Sequence, residues 1–148
     1  MHIVFSLCLP REEASVPLVR RVCRESLKSL GVLEPCIDDL ELAITEACTN
    51  VLKHAARSED EYDVSLEIAD HVALIKVSDN VAGTFDHAQA EAHRAELIAE
   101  SGRGIQLMKA LVDQLKFESR PDLGTVVQLE KKLVYQKTSL VGHLVAAP

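Results

Sequence analysis

The stretch ELAITEACTNVLKHA, Glu41–Ala55, sets Glu46, Asn50 and His54 at intervals of four along an otherwise apolar, helix-forming segment. At about 100° per residue, Leu40, Ile44, Ala47 and Val51 fall on one face fit for burial. Glu46, Asn50 and His54 stack on a neighbouring stripe at its margin, since residues four apart lie one above the other on a helix. Two readings of that stripe stand. It is either the ordinary polar edge of an amphipathic helix or the wall of a pocket. In the second case a carboxylate and a carboxamide one turn apart offer oxygens pointing the same way. Mg²⁺ prefers such ligands, taking few from protein and the rest from water and phosphate. The carboxylate is also suited to take a proton from an attacking hydroxyl or water.

Working outward, HIVFSLCL alternates as a strand from His2 to Leu9, and PREEASVP is a turn in which Ser15 and Pro17 start a helix. Val19, Val22, Cys23, Leu27 and Leu30 recur at helical spacing until Gly31. After Pro35, the pair Asp38–Asp39 suits the positive end of a second helix, which the pattern carries to Ala56. YDVSLEIA and HVALIKVSD read as an antiparallel hairpin turning at Asp70–His71. The polar, glycine-bounded segment NVAGTFDHAQAEAHRAELIAESGRG has room for a short helix at Ala88–Leu97. Helical spacing returns from Ile105 to Leu115, followed by a strand, a Pro-Asp-Leu-Gly turn and a last strand. The order β-α-α-β-β-lid-α-β-β points to an α+β, two-layer sandwich: helices on one face of a mixed, mostly antiparallel sheet. One domain is expected over residues 1–133. The tail, 134–148, reads as a terminal extension or a partner contact.

Composition narrows the function classes. The 148 residues carry a net charge of −7, with 47% apolar and 3% aromatic residues. That acidity, without a basic stretch, argues against direct nucleic-acid binding. No apolar run approaches the roughly 20 residues that span a bilayer, and the N-terminal apolar run lacks the basic flank of a signal peptide. A cytoplasmic protein without a membrane segment is expected. Cys8, Cys23, Cys36 and Cys48 show neither C-x-x-C spacing nor paired histidines, so they read as buried thiols in a reducing compartment.

Two more motifs bear on the pocket reading. In VSDNVAGTFD, Asp79 ends a strand, where its carboxylate can accept a hydrogen bond from an exocyclic amine such as that of adenine. Gly83 would let backbone approach a ligand. In ESGRGIQLMKALVDQL, Gly102, Arg103 and Gly104 open a helix whose free N–H groups suit phosphate. Each alone has a plain alternative, a strand end and a helix cap. A Walker-type G-x-x-x-x-G-K-[ST] is absent from the sequence.

Taken in order, ELAITEACTNVLKHA, DNVAG, GRGIQLM and the Gly124–Thr125 strand resemble the N-box, two glycine boxes and final strand of the GHKL superfamily, shared by gyrase, Hsp90, MutL and histidine kinases. Length and the wording EACTNVLKHA are most similar to its anti-sigma-factor serine kinases. The resemblance implies a Bergerat-type ATP-binding fold, with ATP and Mg²⁺ as cofactors. It implies Glu46 as the base toward an acceptor serine, Asn50 as the Mg²⁺ ligand and Asp79 as reader of the adenine amine. It places Gly83, Gly102, Arg103, Gly104 and Ile105 at the nucleotide, and Thr125 near adenine. Arg103 stands either near the γ-phosphate or as a solvated charge. Implied partners are a sigma factor, an anti-sigma-factor antagonist bearing the serine, and a second copy of the chain in a homodimer. Arg20 and Arg24 form a strip on the first helix that reads either as solvated charge or as a surface for an acidic partner patch. His54 is expected to have a structural role at the pocket edge. One departure stands out: the first box is D-x-G-x-G in the family, and Val81 occupies the first glycine's position, where a β-branched side chain disfavours positive φ. The alternative function is a partner-binding module on the same fold with weak or no turnover.

Overall fold

Strand signals in the sequence become a five-stranded sheet because apolar residues alternate along each strand. In the computed structural model, which describes residues 1–53, 61–79, 103–120 and 124–146, β2 (Glu61–Ala69) buries Tyr62, Val64, Leu66 and Ile68 while the residues between them face outward. The strands β1 (His2–Pro10), β2, β3 (Val72–Ser78), β4 (Gln114–Arg120) and β5 (Gly124–Lys132) lie in the order β1-β2-β3-β5-β4. Every pairing between them is antiparallel. Central β3 runs in register with both neighbours, Ile75 lying opposite Leu66 on one side and Leu129 on the other. The β2–β3 hairpin turns at Asp70–His71 as expected, with Asp70 at φ 51°.

Two long helices cover one face of this sheet. α1 (Ser15–Ser29) buries Val19, Cys23 and Leu27, and α2 (Glu34–Lys53) buries Ile37, Leu40, Ala43, Ile44, Ala47, Cys48 and Val51. Leu40, Ile44, Ala47 and Val51 are all fully buried, the face that helical spacing assigned to the core. Gly31 ends α1 at φ +83°, and Val32 N–H bonds Leu27 O at 3.1 Å across the cap. That wrap needs a left-handed residue, which glycine adopts without a Cβ clash.

Three expectations are corrected by the structure. Asp38 and Asp39 sit one turn inside α2, which begins at Glu34. The third helix, α3, spans 103–111, four residues short of the Leu115 expected. Asp113 explains the early stop: its N–H bonds Glu130 O at 2.9 Å, and its carboxylate accepts Lys132 N–H at 2.6 Å. These bonds pull the chain into β4, so Leu115 pairs with Leu129 across the sheet. Last, only Cys23 and Cys48 are buried; Cys8 is exposed on an edge strand and Cys36 is half-buried. Burial pushes the Cys23 and Cys48 thiols up to about 12, leaving them protonated and unreactive.

The segment after Leu133 is tied to the α1–α2 connection. Leu33 N–H bonds Val134 O at 2.8 Å, Gln136 N–H bonds Gly31 O at 2.7 Å, and the Tyr135 hydroxyl donates to Asp70 O at 2.6 Å. A short helix, α4 (Leu140–Ala146), follows. No helix among the described residues is long and apolar enough to cross a membrane. The helix expected at 88–97 and the continuation of α2 past Lys53 lie outside the described residues.

Candidate functional site

The polar stripe at the edge of α2 is met by the third helix, α3. Gly104, at the second described position of α3, packs so closely on α2 that a Cβ there would lie 2.9 Å from Glu46 Oε2 and 3.6 Å from Asn50 Nδ2. Residues 58 apart in sequence thus meet at one spot. Glycine is what lets the α3 backbone come this near. Asn50 is only 4% exposed, and its amide nitrogen has no hydrogen-bond partner among the described residues. A buried donor left unmade costs about 1–3 kcal/mol, so a carboxamide held there is not serving the packing of the apo fold. Glu46 is half-buried beside it.

A second cluster forms where β3 ends against β5. Asp79 N–H bonds Thr125 O at 3.1 Å, and Thr125 N–H returns the bond to Asp79 Oδ1 at 2.5 Å. The carboxylate is fully buried, and Arg11 pairs with its other oxygen, Oδ2. Arg11 continues to the end of α2, donating to Val51 O at 3.0 Å and Leu52 O at 3.2 Å. It thereby joins the Asp79 cluster to the helix that carries Glu46 and Asn50. Gly124 sits under Asp79 at φ +93°, where an added Cβ would come within 2.6 Å of Asp79 Oδ1. Gly124→Ala is therefore expected to destabilise the fold by about 1–3 kcal/mol through backbone strain and displacement of Asp79, as measured by urea unfolding.

The sequence-derived residues sort as follows. Glu46, Asn50 and Gly104 converge, and Asp79 and Thr125 meet through the Thr125 backbone. Ile105 is 2% exposed, so its side chain belongs to the core. Arg103 is exposed at the first described position of α3. Gly83, Gly102, Val81 and His54 lie outside the described residues. Arg11 was missed; it sits in a stretch that reads as a turn, and its partners are 40, 41 and 68 residues away.

Arg20 and Arg24 are on the outer side of α1, but α2 already supplies them with carboxylates. Arg20 bonds Glu41 at 3.0 Å, and Arg24 reaches Glu34, Asp38 and Glu41 at 2.6, 2.9 and 2.6 Å. Burial works to raise the Glu41 carboxyl, yet hydrogen bonds from Arg24 and Arg20 outweigh it and hold the group below its ordinary value. Two cations facing three carboxylates do not form a basic strip. The sequence spacing of the arginines could not show this, because the compensating acids lie on the next helix. Further toward Lys53 along α2, a cleft of about 490 Å³ is lined by Arg11, Glu13, Val16, Thr49, Leu52 and Lys53.

Among the described residues no group of three or more His, Cys, Asp or Glu side chains is placed to hold a metal ion. A Mg²⁺ ion brought in with a phosphate chain needs only one or two protein oxygens. A half-turn of the Asn50 amide exchanges its nitrogen for its oxygen, so this buried group can face either a metal ion or a phosphate.

Known proteins resemble this chain along most of its length. The serine-protein kinase RsbW of Bacillus velezensis is 29% identical over 134 residues, covering 84% of this chain and 82% of that protein. The Listeria monocytogenes RsbW is 30% identical over 126 residues, covering 78% and 80%. The anti-sigma F factor of Bacillus subtilis is 28% identical over 146 residues, covering 93% and 94%. Among solved structures, the RsbU and RsbW domains of a Mycobacterium tuberculosis protein superpose with a TM-score of 0.67 at 20% identity. That match covers 88% of this chain and 32% of the longer one, and it concerns the fold. Residues 9–131 match the sequence pattern described as the histidine kinase-like ATPase domain. That match spans most of the sequence, and this chain belongs to the histidine kinase-like ATPase domain family.

Proposed function

We propose that this protein is an ATP-dependent serine kinase that also acts as an anti-sigma factor, holding a sigma factor and phosphorylating a serine on a protein antagonist. The observation that carries the reading is the buried Asn50 amide nitrogen, without a hydrogen-bond partner among the described residues, beside Glu46 and the backbone of Gly104. The named relatives are serine-protein kinases and an anti-sigma factor, and membership of the family carries ATP use with it.

Each group has a part that follows from its position. Asp79, buried and fixed by Thr125 N–H, accepts the exocyclic amine of adenine. The N–H groups that open α3, at Arg103 and Gly104 with Gly102 preceding them, face the phosphates, where a helix N-terminus favours negative charge. Asn50 would hold Mg²⁺, whose charge neutralises the phosphate oxygens as the γ-phosphoryl group transfers. Glu46 takes the proton of the acceptor hydroxyl while that oxygen bonds to γ-phosphorus and ADP leaves. Such chemistry needs positioning and charge compensation, with no covalent enzyme intermediate.

Partner contacts follow less directly from geometry. Arg20, 44% exposed at its side chain, and Arg24 are proposed to meet an acidic patch on the sigma factor by exchanging Glu41 for the partner's carboxylates. Because those arginines are already paired, a partner gains from them chiefly in specificity and encounter rate. A homodimer in the cytoplasm is the assembly proposed.

The second reading, a binding module without turnover, draws on Val81 in the first glycine box. The two readings separate on incubation with Mg²⁺, γ-labelled ATP and a serine-bearing antagonist. A kinase places acid-stable phosphoserine on the antagonist, whereas a module retains its partner and transfers no label.

A further inference from the structure

We infer that Arg11 is a positioning residue for the base-reading carboxylate, setting the preference of this site for adenine over other purines. The inference rests on the reading of Asp79 as acceptor of the adenine amine. Three observations support it. Arg11 pairs with Asp79 Oδ2 while Thr125 N–H holds Oδ1, so both oxygens are oriented by the protein. Its remaining bonds go to Val51 O and Leu52 O in the last turn of α2, and its side chain is only 11% exposed. Donating to three acceptors on two elements, Arg11 is a fixed bridge rather than a side chain resting in a cleft.

The fold by itself gives little reason for such a bridge. A buried ion pair is often no more stabilising than apolar side chains of similar volume, while loss of one partner leaves an uncompensated charge. What the pair does secure is a carboxylate whose two oxygens are both aimed by the protein although the side chain is fully buried. An ionised carboxylate has about four acceptor positions. With Thr125 N–H and Arg11 using one on each oxygen, the others are available to an amine. Arg11 also ties this acceptor to α2, the helix that carries Glu46 and Asn50.

The test is equilibrium binding of ATP and of inosine triphosphate to the intact protein, the latter carrying a 6-oxo group where adenine carries its amine. Wild type is expected to prefer ATP, and Asp79→Asn to lose that preference; if wild type shows no preference, the base reading of Asp79 fails and the role of Arg11 with it. Given that preference, Arg11→Ala is expected to weaken ATP binding about tenfold, the order of one charge-assisted hydrogen bond, with inosine triphosphate nearly unchanged. Arg11→Lys keeps the charge but not the fork to the α2 carbonyls, and is expected to fall between the two while folding normally. Adding Arg11→Ala to Asp79→Asn should weaken ATP binding no further. The inference is overturned if the Arg11 variants weaken both nucleotides equally, leave ATP binding unchanged, or strengthen it, the last making Arg11 a plug rather than a support.

Discussion

Replacement of Glu46 by Gln is expected to lower phosphotransfer by about 10²–10⁴-fold, the usual contribution of a general base, while ATP affinity and partner retention stay near wild type. The substitution keeps the side chain's size and its place beside Gly104 but removes the proton acceptor. Glu46 is half-buried, and among its close neighbours are the Asn50 amide and the Gly104 backbone, so a neutral amide there disturbs no ion pair known from the described residues. Initial rates of label transfer to the antagonist, alongside ATP titration, separate loss of chemistry from loss of binding. A variant with unchanged rate would remove Glu46 from the reaction and leave it a packing residue.

The second large effect is expected at Asn50. Asn50→Ala removes the buried carboxamide whose nitrogen has no partner among the described residues, so the apo fold has little to lose. Unfolding by urea should change by less than about 1 kcal/mol, since deletion takes away an unsatisfied donor along with some packing. ATP binding in the presence of Mg²⁺ is expected to fall by at least about tenfold, because the phosphates would lose the group proposed to hold their metal ion. Binding measured without Mg²⁺ should change much less. The opposing pattern, a large loss of stability with an unchanged metal effect, would make Asn50 a structural residue.

These expectations also show where sequence alone was informative. The 4-residue spacing of Glu46, Asn50 and His54 against Leu40, Ile44, Ala47 and Val51 has a period, and period determines which face is buried; the α2 core follows from it directly. The strands β2 and β3 were equally legible, because two alternating runs met at Asp70–His71. The end of α3 was not: Val112 and Leu115 continue helical spacing, and only the bonds from Asp113 to Glu130 and Lys132 turn the chain into a strand. Those bonds depend on residues 17 to 19 positions later. Local pattern has no access to them.

The site divides in the same way. Glu46 and Asn50 could be named because they share a helix face, and Asp79 because it closes a strand. That Gly104 would meet them required α3 to fold back on α2, which no spacing within either segment encodes. Thr125 acts through its backbone N–H, a group every residue but proline possesses, so its side-chain identity could not announce the bond to Asp79. Arg11 lay hidden for a different reason. Its three acceptors are two backbone carbonyls and a distant carboxylate, and a charged residue in a turn ordinarily faces water. The arginines of α1 present the reverse case, in which a conspicuous strip of charge proved to be matched by Glu34, Asp38 and Glu41 across the helix pair.

The central claim, that the polar margin of α2 together with the end of β3 is a nucleotide site, is tested most directly by titrating Mg²⁺ and ATP into the isotope-labelled protein and following backbone amide resonances. The expected result is saturable shifts centred on Asn50, Asp79, Gly104 and Thr125, reduced when Mg²⁺ is withheld. Shifts confined to the cleft of Glu13, Thr49 and Lys53, or no shifts at millimolar ATP, would contradict it.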